Sequence, residues 1–173
     1  MTSSPPPLDA VGTVARSPLD RLAFVLATGF GSGYSPLAPG TAGTIAAVPL
    51  YLLLCRLHPA AYLGALVALT VLAIAVADRA AKLSGIKDPG FVVIDEWVGF
   101  IATMAFVTPS LSSVVAGFFI FRVYDILKPG GARRLESLPG GYGIVMDDFL
   151  AGVWGNLTLR VLALWLLKPT LPA

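Results

Sequence analysis

Charged residues are scarce in this sequence. Asp, Glu, Lys and Arg make up 13% of its 173 residues, whereas ordinary soluble domains carry about 25%. Hydrophobic residues make up 56%, and the mean hydropathy is +0.81. So few charges cannot cover a surface exposed to water, so a bilayer or another subunit must cover it. Long uncharged runs favour the bilayer over a very apolar soluble helical oligomer.

Several kinds of chemistry are excluded by residues that are nearly absent. Cys55 is the single cysteine, which excludes an intramolecular disulfide and a thiolate metal cluster. His58 is the single histidine, which excludes catalysis that needs two histidines. The net charge is only +2, and no basic run carries interleaved aromatic residues. The sequence therefore predicts no nucleic-acid partner.

The N-terminal segment, residues 1–16, is predicted to be a disordered tail. It contains three consecutive prolines, Pro5 to Pro7, and lacks the basic start and apolar core of a signal peptide. Residues 17–173 are expected to form a single helical domain. Entry into a membrane would then depend on the internal apolar segments.

The apolar segments predict an all-α, polytopic membrane protein with about four to five long helices. These are expected at about Thr41–Leu57, Ala60–Ala77, Phe91–Val107, Leu111–Leu127 and Asp147–Leu167. Several are shorter than the ~20 residues that cross the hydrocarbon. The segment Pro18–Thr28, with Ser17 as its cap, is too short to span and is expected to lie in the interface or re-enter.

A segment rich in glycine and proline, GFGSGYSPLAPGTAGT at Gly29–Thr44, separates this short helix from the first long one. Its composition argues against a regular element, and at membrane depth such a chain is tolerated only in a protein interior or a wet cavity. Its end leads into an apolar helix, whose N-terminal amides would attract phosphate. A plain connector with a threonine cap is the alternative.

The distribution of basic residues predicts the orientation. With four or five passes, the N-terminus and the loops Asp78–Gly90 and Lys128–Gly143 lie on one side. The basic residues there are Arg16, Arg21, Arg79, Lys82, Lys87, Lys128, Arg133 and Arg134. The other side holds Arg56 and Lys168 near helix ends. The positive-inside rule assigns the more basic side to the cytoplasm.

Acidic residues in apolar helices are costly and predict a functional site. They recur at the cytoplasmic helix ends, as Asp78, Asp88, Asp95, Glu96, Asp125, Asp147 and Asp148. Such carboxylates repel one another unless a cation or basic partners stand among them. Carboxylate oxygens without His or Cys suit a hard cation, and the predicted cation is Mg²⁺.

Two alternatives remain for individual acids. Asp78 and Lys82 are four residues apart, and the pattern favours a plain ion pair there. One of Asp147 and Asp148, at the predicted start of the last helix, could serve as a structural cap.

A basic group accompanies the acids. Arg122, Asp125 and Lys128 are spaced by three residues, so both neighbouring pairs can meet on a helix surface. Arg and Lys beside a metal ion are common clamps for a phosphoryl group whose charge grows in the transition state.

Four blocks in this order give the sequence a resemblance to a known family. They are GFGSGYSPLAPGTAGT, DPGFVVIDEWVGF, FRVYDILKPGGARRLE and GGYGIVMDDFLAG. Together they resemble the phosphatidylglycerophosphatase A family over about Ala27–Gly152. The resemblance implies an all-α fold and Mg²⁺-dependent conversion of phosphatidylglycerophosphate to phosphatidylglycerol at the cytoplasmic face of a bacterial inner membrane. Residues 17–173 would then be a membrane phosphatase domain with an anionic phospholipid substrate, and homo-oligomerisation stays open.

The matching blocks imply roles for individual residues. The predicted metal ligands are Asp95, Glu96, Asp147 and Asp148. One of these acids, or Asp125, would deprotonate water. The predicted phosphate-binding residues are Arg122, Lys128, Thr41 and Thr44, with the amides around Gly40 and Gly43. The secondary candidates are Asp78, Lys82 and Asp88.

Other enzyme classes and other functions predict motifs or patterns that can be sought in the sequence. Cys55 is followed six positions on by Ala61 and not by the arginine of a cysteine phosphatase, and the DxDxT motif and the phosphatidyltransferase motif are absent. A small transporter or channel would also use intramembrane carboxylates, but near the midplane and often with inverted repeats. A non-catalytic assembly subunit is the third alternative, and it would tolerate Asp95→Asn.

Overall fold

The computed structural model describes residues 17–166, and all regular structure in this range is helical. The elements are α1 (Pro18–Ala27), a 3₁₀ turn (Ser32–Tyr34), α2 (Pro39–Leu54), α3 (Pro59–Ser84), α4 (Ile94–Thr103), α5 (Leu111–Leu127), α6 (Ala132–Leu135) and α7 (Gly141–Leu166). The predicted all-α class is confirmed for these residues. The predicted tail, residues 1–16, and residues 167–173 lie outside them.

Helix α4 is the central element and packs against α3, α2 and, most extensively, α7. The contact with α7 is close because glycines face each other: a side chain at Gly152 would collide with the carbonyl oxygen of Gly99. Thr103 completes the crossing, since its hydroxyl donates to Gly99 O at 2.9 Å and to Gly152 O at 3.3 Å. This close crossing brings the acidic residues of α4 beside those of α7.

The prediction for α4 was wrong in length. A helix was expected over about Phe91–Val107, but α4 has ten residues and spans only about 15 Å. At its start the Val93 amide donates to Ala27 O at 2.8 Å, which ties this stretch of chain to α1. At its far end Phe106 has a left-handed φ of 59°, which a helix does not allow.

Helix α7 is longer than predicted, whereas α3 continues past Ala77 into a polar stretch that the sequence predicts to begin as helix. Helix α3 stops at Gly85, whose φ of 70° suits glycine. Helix α7 begins at Gly141, so Asp147 and Asp148 lie in its second and third turns. Neither acid therefore caps the helix, and the cap alternative was wrong.

In the part of the chain that it describes, the structure contains fewer helices able to span a membrane than the sequence predicts. Within residues 17–166, α3 is the one helix that is both long and apolar enough to cross a membrane by length and composition. Helix α2 is apolar but has only 16 residues, and α4 is about half the ~30 Å hydrocarbon thickness. Four to five membrane spans are therefore not confirmed.

The short helix α1 is attached to α3 by an ion pair between a buried carboxylate and a half-exposed arginine. Ser17 caps α1 as predicted and forms a reciprocal capping box with Asp20. The Asp20 side chain is 2% exposed, and Arg79 on α3 approaches its Oδ1 with Nε at 2.7 Å and Nη2 at 2.6 Å. The hydrogen bond from Arg79 lowers the pKa of the Asp20 carboxyl below its ordinary value, although burial opposes part of this effect.

Asp20→Asn is expected to destabilise the protein at neutral pH. Because the folded pKa of Asp20 is lowered, its contribution is full above the ordinary pKa near 3.8 and is lost as pH falls through the folded value. The melting temperature of the variant should therefore lie below that of the wild type at pH 7, and the gap should narrow in acid. Asp78→Asn, at an exposed pair, is the control and should change little. A gap that does not depend on pH would contradict this.

Candidate active site

A cavity of about 340 Å³ lies where α2 begins and α5 ends. It brings together residues from all four sequence blocks. Its polar lining consists of Thr41, Asp88, Asp95, Glu96, Arg122, Asp125, Lys128, Asp147 and Asp148. Its other lining residues are Ala38, Pro39, Gly40, Pro89, Gly90, Val92 and Ile144. Residues scattered over the chain thus form one charged site.

Three carboxylates converge in this cavity. Asp95 and Glu96 come from the first turn of α4, and Asp148 comes from α7; one oxygen from each lies within 4.8 Å of the other two. Asp95 Oδ1 and Glu96 Oε2 are buried without a hydrogen-bond partner. Within residues 17–166 no lysine or arginine nitrogen lies within 4 Å of Asp95 or Asp148. The donor set and its unpaired oxygens fit a hard divalent cation.

Asp147 lies outside this triad, although it was predicted as a fourth metal ligand. It is almost fully buried, and its Oδ2 accepts a hydrogen bond from Lys128 Nζ. Its other oxygen, Oδ1, is buried without a partner. The structure thus brings three of the four predicted ligands together and pairs the fourth with the predicted phosphate clamp.

Lys128 follows α5 in a left-handed conformation and contacts two carboxylates. Besides Asp147, its ammonium group lies 2.7 Å from Glu136 Oε1. Burial lowers the pKa of the Lys128 ammonium group, but the hydrogen bonds that it donates to Asp147 and Glu136 outweigh burial and raise the pKa above its ordinary value. Lys128 is therefore a permanent positive charge at the edge of the cavity.

Arg122 is the second cation of the site. Its Nη1 lies 2.7 Å from Asp125 Oδ2, one turn along α5, and 3.7 Å from Glu96 Oε1. The predicted pairing of Arg122 with Asp125 is confirmed, whereas Lys128 pairs with Asp147 and Glu136 and not with Asp125. Arg122 therefore links α5 to the acidic triad, and Asp125, the predicted candidate base, lies beside it on the cavity wall.

The N-terminus of α2 forms another part of the cavity wall. Gly40 lies in the first turn, where a Cβ atom would collide with Glu96 Oε1 and approach Arg122 Nη1 to 2.9 Å. The N-cap residue Ala38 makes no side-chain hydrogen bond to the first-turn amides. These amides, with Thr41 beside them, can therefore serve an anion.

Two predicted phosphate-binding residues lie behind this wall. Thr44 is fully buried, and its hydroxyl donates to Gly40 O at 2.8 Å. Gly43 packs against the Val93 side chain. One further turn of the helix carries both away from the cavity, so they support the packing of α2 and do not line the cavity.

The three secondary candidates, Asp78, Lys82 and Asp88, lie in two different cavities. Asp88 lines the cavity. Asp78 and Lys82 form the predicted ion pair at 2.6 Å and line a different cavity of about 430 Å³ beside Gly140. Glu136 was missed as a site residue, although it stands at the end of the third block, where an acid near Lys128 could have been noticed.

Comparisons with known proteins agree on the family. The family model described as phosphatidylglycerophosphatase A matches residues 25–163. A Bacteroides thetaiotaomicron protein with the provisional name phosphatidylinositol-3-phosphatase is 40% identical over 84% of this chain and 96% of its own length. An Escherichia coli protein named phosphatidylglycerophosphatase A is 40% identical over 75% of this chain and 76% of its own length. A Haemophilus influenzae protein of the same name is 34% identical over 87% of this chain and 98% of its own length. No solved structure matches significantly.

Three observations define the class of this protein as a helical phosphatase. The described residues form an all-helical fold, the charged cavity suits an anion beside a cation, and the relatives are named as phosphatases. The resemblance inferred from the four blocks is confirmed by the matched residues. The chain belongs to the phosphatidylglycerophosphatase A family.

Proposed function

We propose that this enzyme hydrolyses phosphatidylglycerophosphate to phosphatidylglycerol and inorganic phosphate, with Mg²⁺, at the cytoplasmic face of a bacterial inner membrane. The observation that carries the proposal is the convergence of three carboxylates, Arg122 and Lys128 in one cavity at a helix N-terminus. The names of the Escherichia coli and Haemophilus influenzae relatives support the substrate.

Asp95, Glu96 and Asp148 would hold the metal ion, and the unpaired buried oxygens of Asp95 and Glu96 support this assignment. Asp147 Oδ1 is the remaining candidate ligand. A bound Mg²⁺ would neutralise phosphate charge and lower the pKa of a coordinated water.

The residues of the chain itself hold the substrate and move protons. Arg122, Lys128 and the first-turn amides of α2 bind the phosphate oxygens and stabilise the charge that grows on them. A water oxygen bonds to phosphorus while the bond from phosphorus to the glycerol oxygen breaks. A cavity carboxylate, Asp125 or a member of the triad, accepts a proton from the water, and this proton then passes from the carboxylate to the leaving glycerol oxygen.

The membrane arrangement belongs to the same proposal. Helix α3 would cross the bilayer, with α2, α5 and α7 as further membrane segments and the cavity on the cytoplasmic side. Support comes from the basic residues at the cavity end, where Arg79, Lys82 and Lys87 lie in or after the end of α3. Arg160 is not among the basic residues from which the orientation is predicted. It lies at the opposite end, where it donates to Ala105 O.

A second lipid phosphate competes as the substrate. The Bacteroides thetaiotaomicron relative matches over 96% of its own length, and its provisional name specifies phosphatidylinositol 3-phosphate. Both lipids carry a phosphate monoester on a headgroup that a phosphodiester joins to the lipid. The transporter alternative is not favoured, because the relatives are named as phosphatases and the acids cluster at one end of the helices.

Phosphate release from the two lipids in detergent micelles tests the proposal. The wild type should release phosphate from phosphatidylglycerophosphate with Mg²⁺, should release almost none with EDTA, and should recover when Mg²⁺ is restored. Phosphatidylinositol 3-phosphate should be hydrolysed at least about tenfold less efficiently, which corresponds to about 1.4 kcal/mol of transition-state discrimination. Equal or greater hydrolysis of the inositol lipid would overturn the substrate, and full activity in EDTA would overturn the metal.

A further inference from the structure

The two carboxylates that contact Lys128 differ in exposure. The side chain of Asp147 is 4% exposed, whereas that of Glu136 is 48% exposed. Separating the buried Asp147 from its cation would leave a charge without solvent, which is very costly. Separating Glu136 costs little, because water can solvate its carboxylate. Of the two partners, Glu136 is the one that can leave.

Glu136 approaches Lys128 from outside the main cavity. It follows α6 and lines a small neighbouring pocket together with Lys87. That pocket shares Asp88 and Ile144 with the main cavity, so the two are adjacent. The turns before and after α6 contain Gly130, Gly131 and Gly140 at positive φ. Glu136 thus stands at the border of the site, on a segment bounded by glycines at positive φ.

The charges around Lys128 oppose anion binding in the arrangement that the structure describes. One ammonium group faces two carboxylates, so these three groups together carry a net negative charge. A phosphate monoester brings a further charge of about −1.5 to −2 at neutral pH. It can gain the full attraction of Lys128 only if one of the carboxylates leaves.

We propose that Glu136 is a further residue of the phosphate subsite, the displaceable counter-ion of Lys128. A phosphate group replaces it on the ammonium group, and it returns when phosphate leaves. This inference rests on the proposed function, in which Lys128 binds phosphate. Its consequence is that Glu136 limits the affinity for substrate and for released phosphate. Tighter binding of both would slow product release without helping the chemical step.

Binding of inorganic phosphate to the full chain in neutral detergent micelles with Mg²⁺, measured by calorimetry, tests the inference without turnover. Glu136→Gln removes the competing charge and should tighten phosphate binding about threefold to fivefold, the size expected for a half-exposed ion pair. The KM for the lipid substrate should fall in the same direction. Weaker phosphate binding would show that Glu136 only positions Lys128 and would overturn the proposal.

A double-mutant cycle separates this contact from a general change of charge. In a Lys128→Gln background, Glu136→Gln should leave phosphate binding unchanged, because the pair no longer exists. A tightening that persists there would overturn the inference. If Lys128→Gln does not fold, the direction of the single Glu136→Gln effect decides, since that half-exposed residue tolerates the change. A wild type that releases no phosphate from either lipid would overturn the proposed function, while phosphate binding still tests the counter-ion.

Discussion

Asp95→Asn is expected to reduce phosphate release from phosphatidylglycerophosphate by about a thousandfold, equivalent to about 4 kcal/mol of transition-state stabilisation. The side chain keeps its size but loses the charge that Asp95 contributes to the triad with Glu96 and Asp148. Two carboxylates then remain where three oxygens converge, so we also expect weaker Mg²⁺ binding. Turnover at saturating substrate and a calorimetric Mg²⁺ titration measure the two effects.

The matched control is Asp20→Asn, which makes the same change at a buried acid outside the cavity. Its melting temperature should fall, but turnover per folded molecule should stay within about twofold of the wild type, inside the usual scatter of distant sites. Asp95→Asn that keeps more than a tenth of wild-type activity and binds Mg²⁺ normally would remove Asp95 from the metal site.

Gly40→Ala is expected to lower kcat/KM by about a hundredfold while the protein stays folded. The added Cβ atom would collide with Glu96 Oε1 and lie 2.9 Å and 3.0 Å from the Arg122 guanidinium nitrogens. Glu96 and Arg122 must move apart or α2 must retreat, and a misplacement of about 1 Å in an active site can cost 10²-fold. Alanine otherwise favours helix over glycine by about 1 kcal/mol, so a lower helix propensity cannot explain the loss.

Gly64→Ala is the control for this substitution. Gly64 lies within α3, and a Cβ atom there meets nothing within 4 Å. The variant should retain activity and melt at or slightly above the wild-type temperature. Kinetics across substrate concentrations and thermal melts of both variants complete the comparison. Unchanged kcat/KM in Gly40→Ala would mean that the first turn of α2 does not contact the reacting groups.

Much of the site could be predicted from local sequence. The acids stand in apolar surroundings, and the absence of nearby His and Cys indicated a hard cation. Arg122 and Asp125 are three residues apart in a regular helix, so their pairing follows from helix geometry. The four blocks that predicted the family are the segments whose residues line the cavity. These predictions depend on residue type and short spacing, which the sequence displays directly.

Other features depend on contacts that no local pattern displays. The length of α4 is limited by the bond from Val93 to Ala27, on a different helix. Thr44 looked available to phosphate because it lies near a helix start, but α2 begins at Pro39 and turns Thr44 into the interior. Glu136 contacts Lys128 only because the fold carries the segment after α5 back to Lys128.

By itself, the sequence determined the helical class, the family and the oxygen ligands of the candidate metal site, which suit a hard cation. Composition and short motifs carry this information. Only the tertiary structure decided which acidic side chains pair with a cation and which form the candidate metal site. Asp147 and Asp148 are neighbours, yet one pairs with Lys128 and the other joins Asp95 and Glu96. Consecutive residues of a helix point about 100° apart, so each acid faces whichever helix packs on its own side.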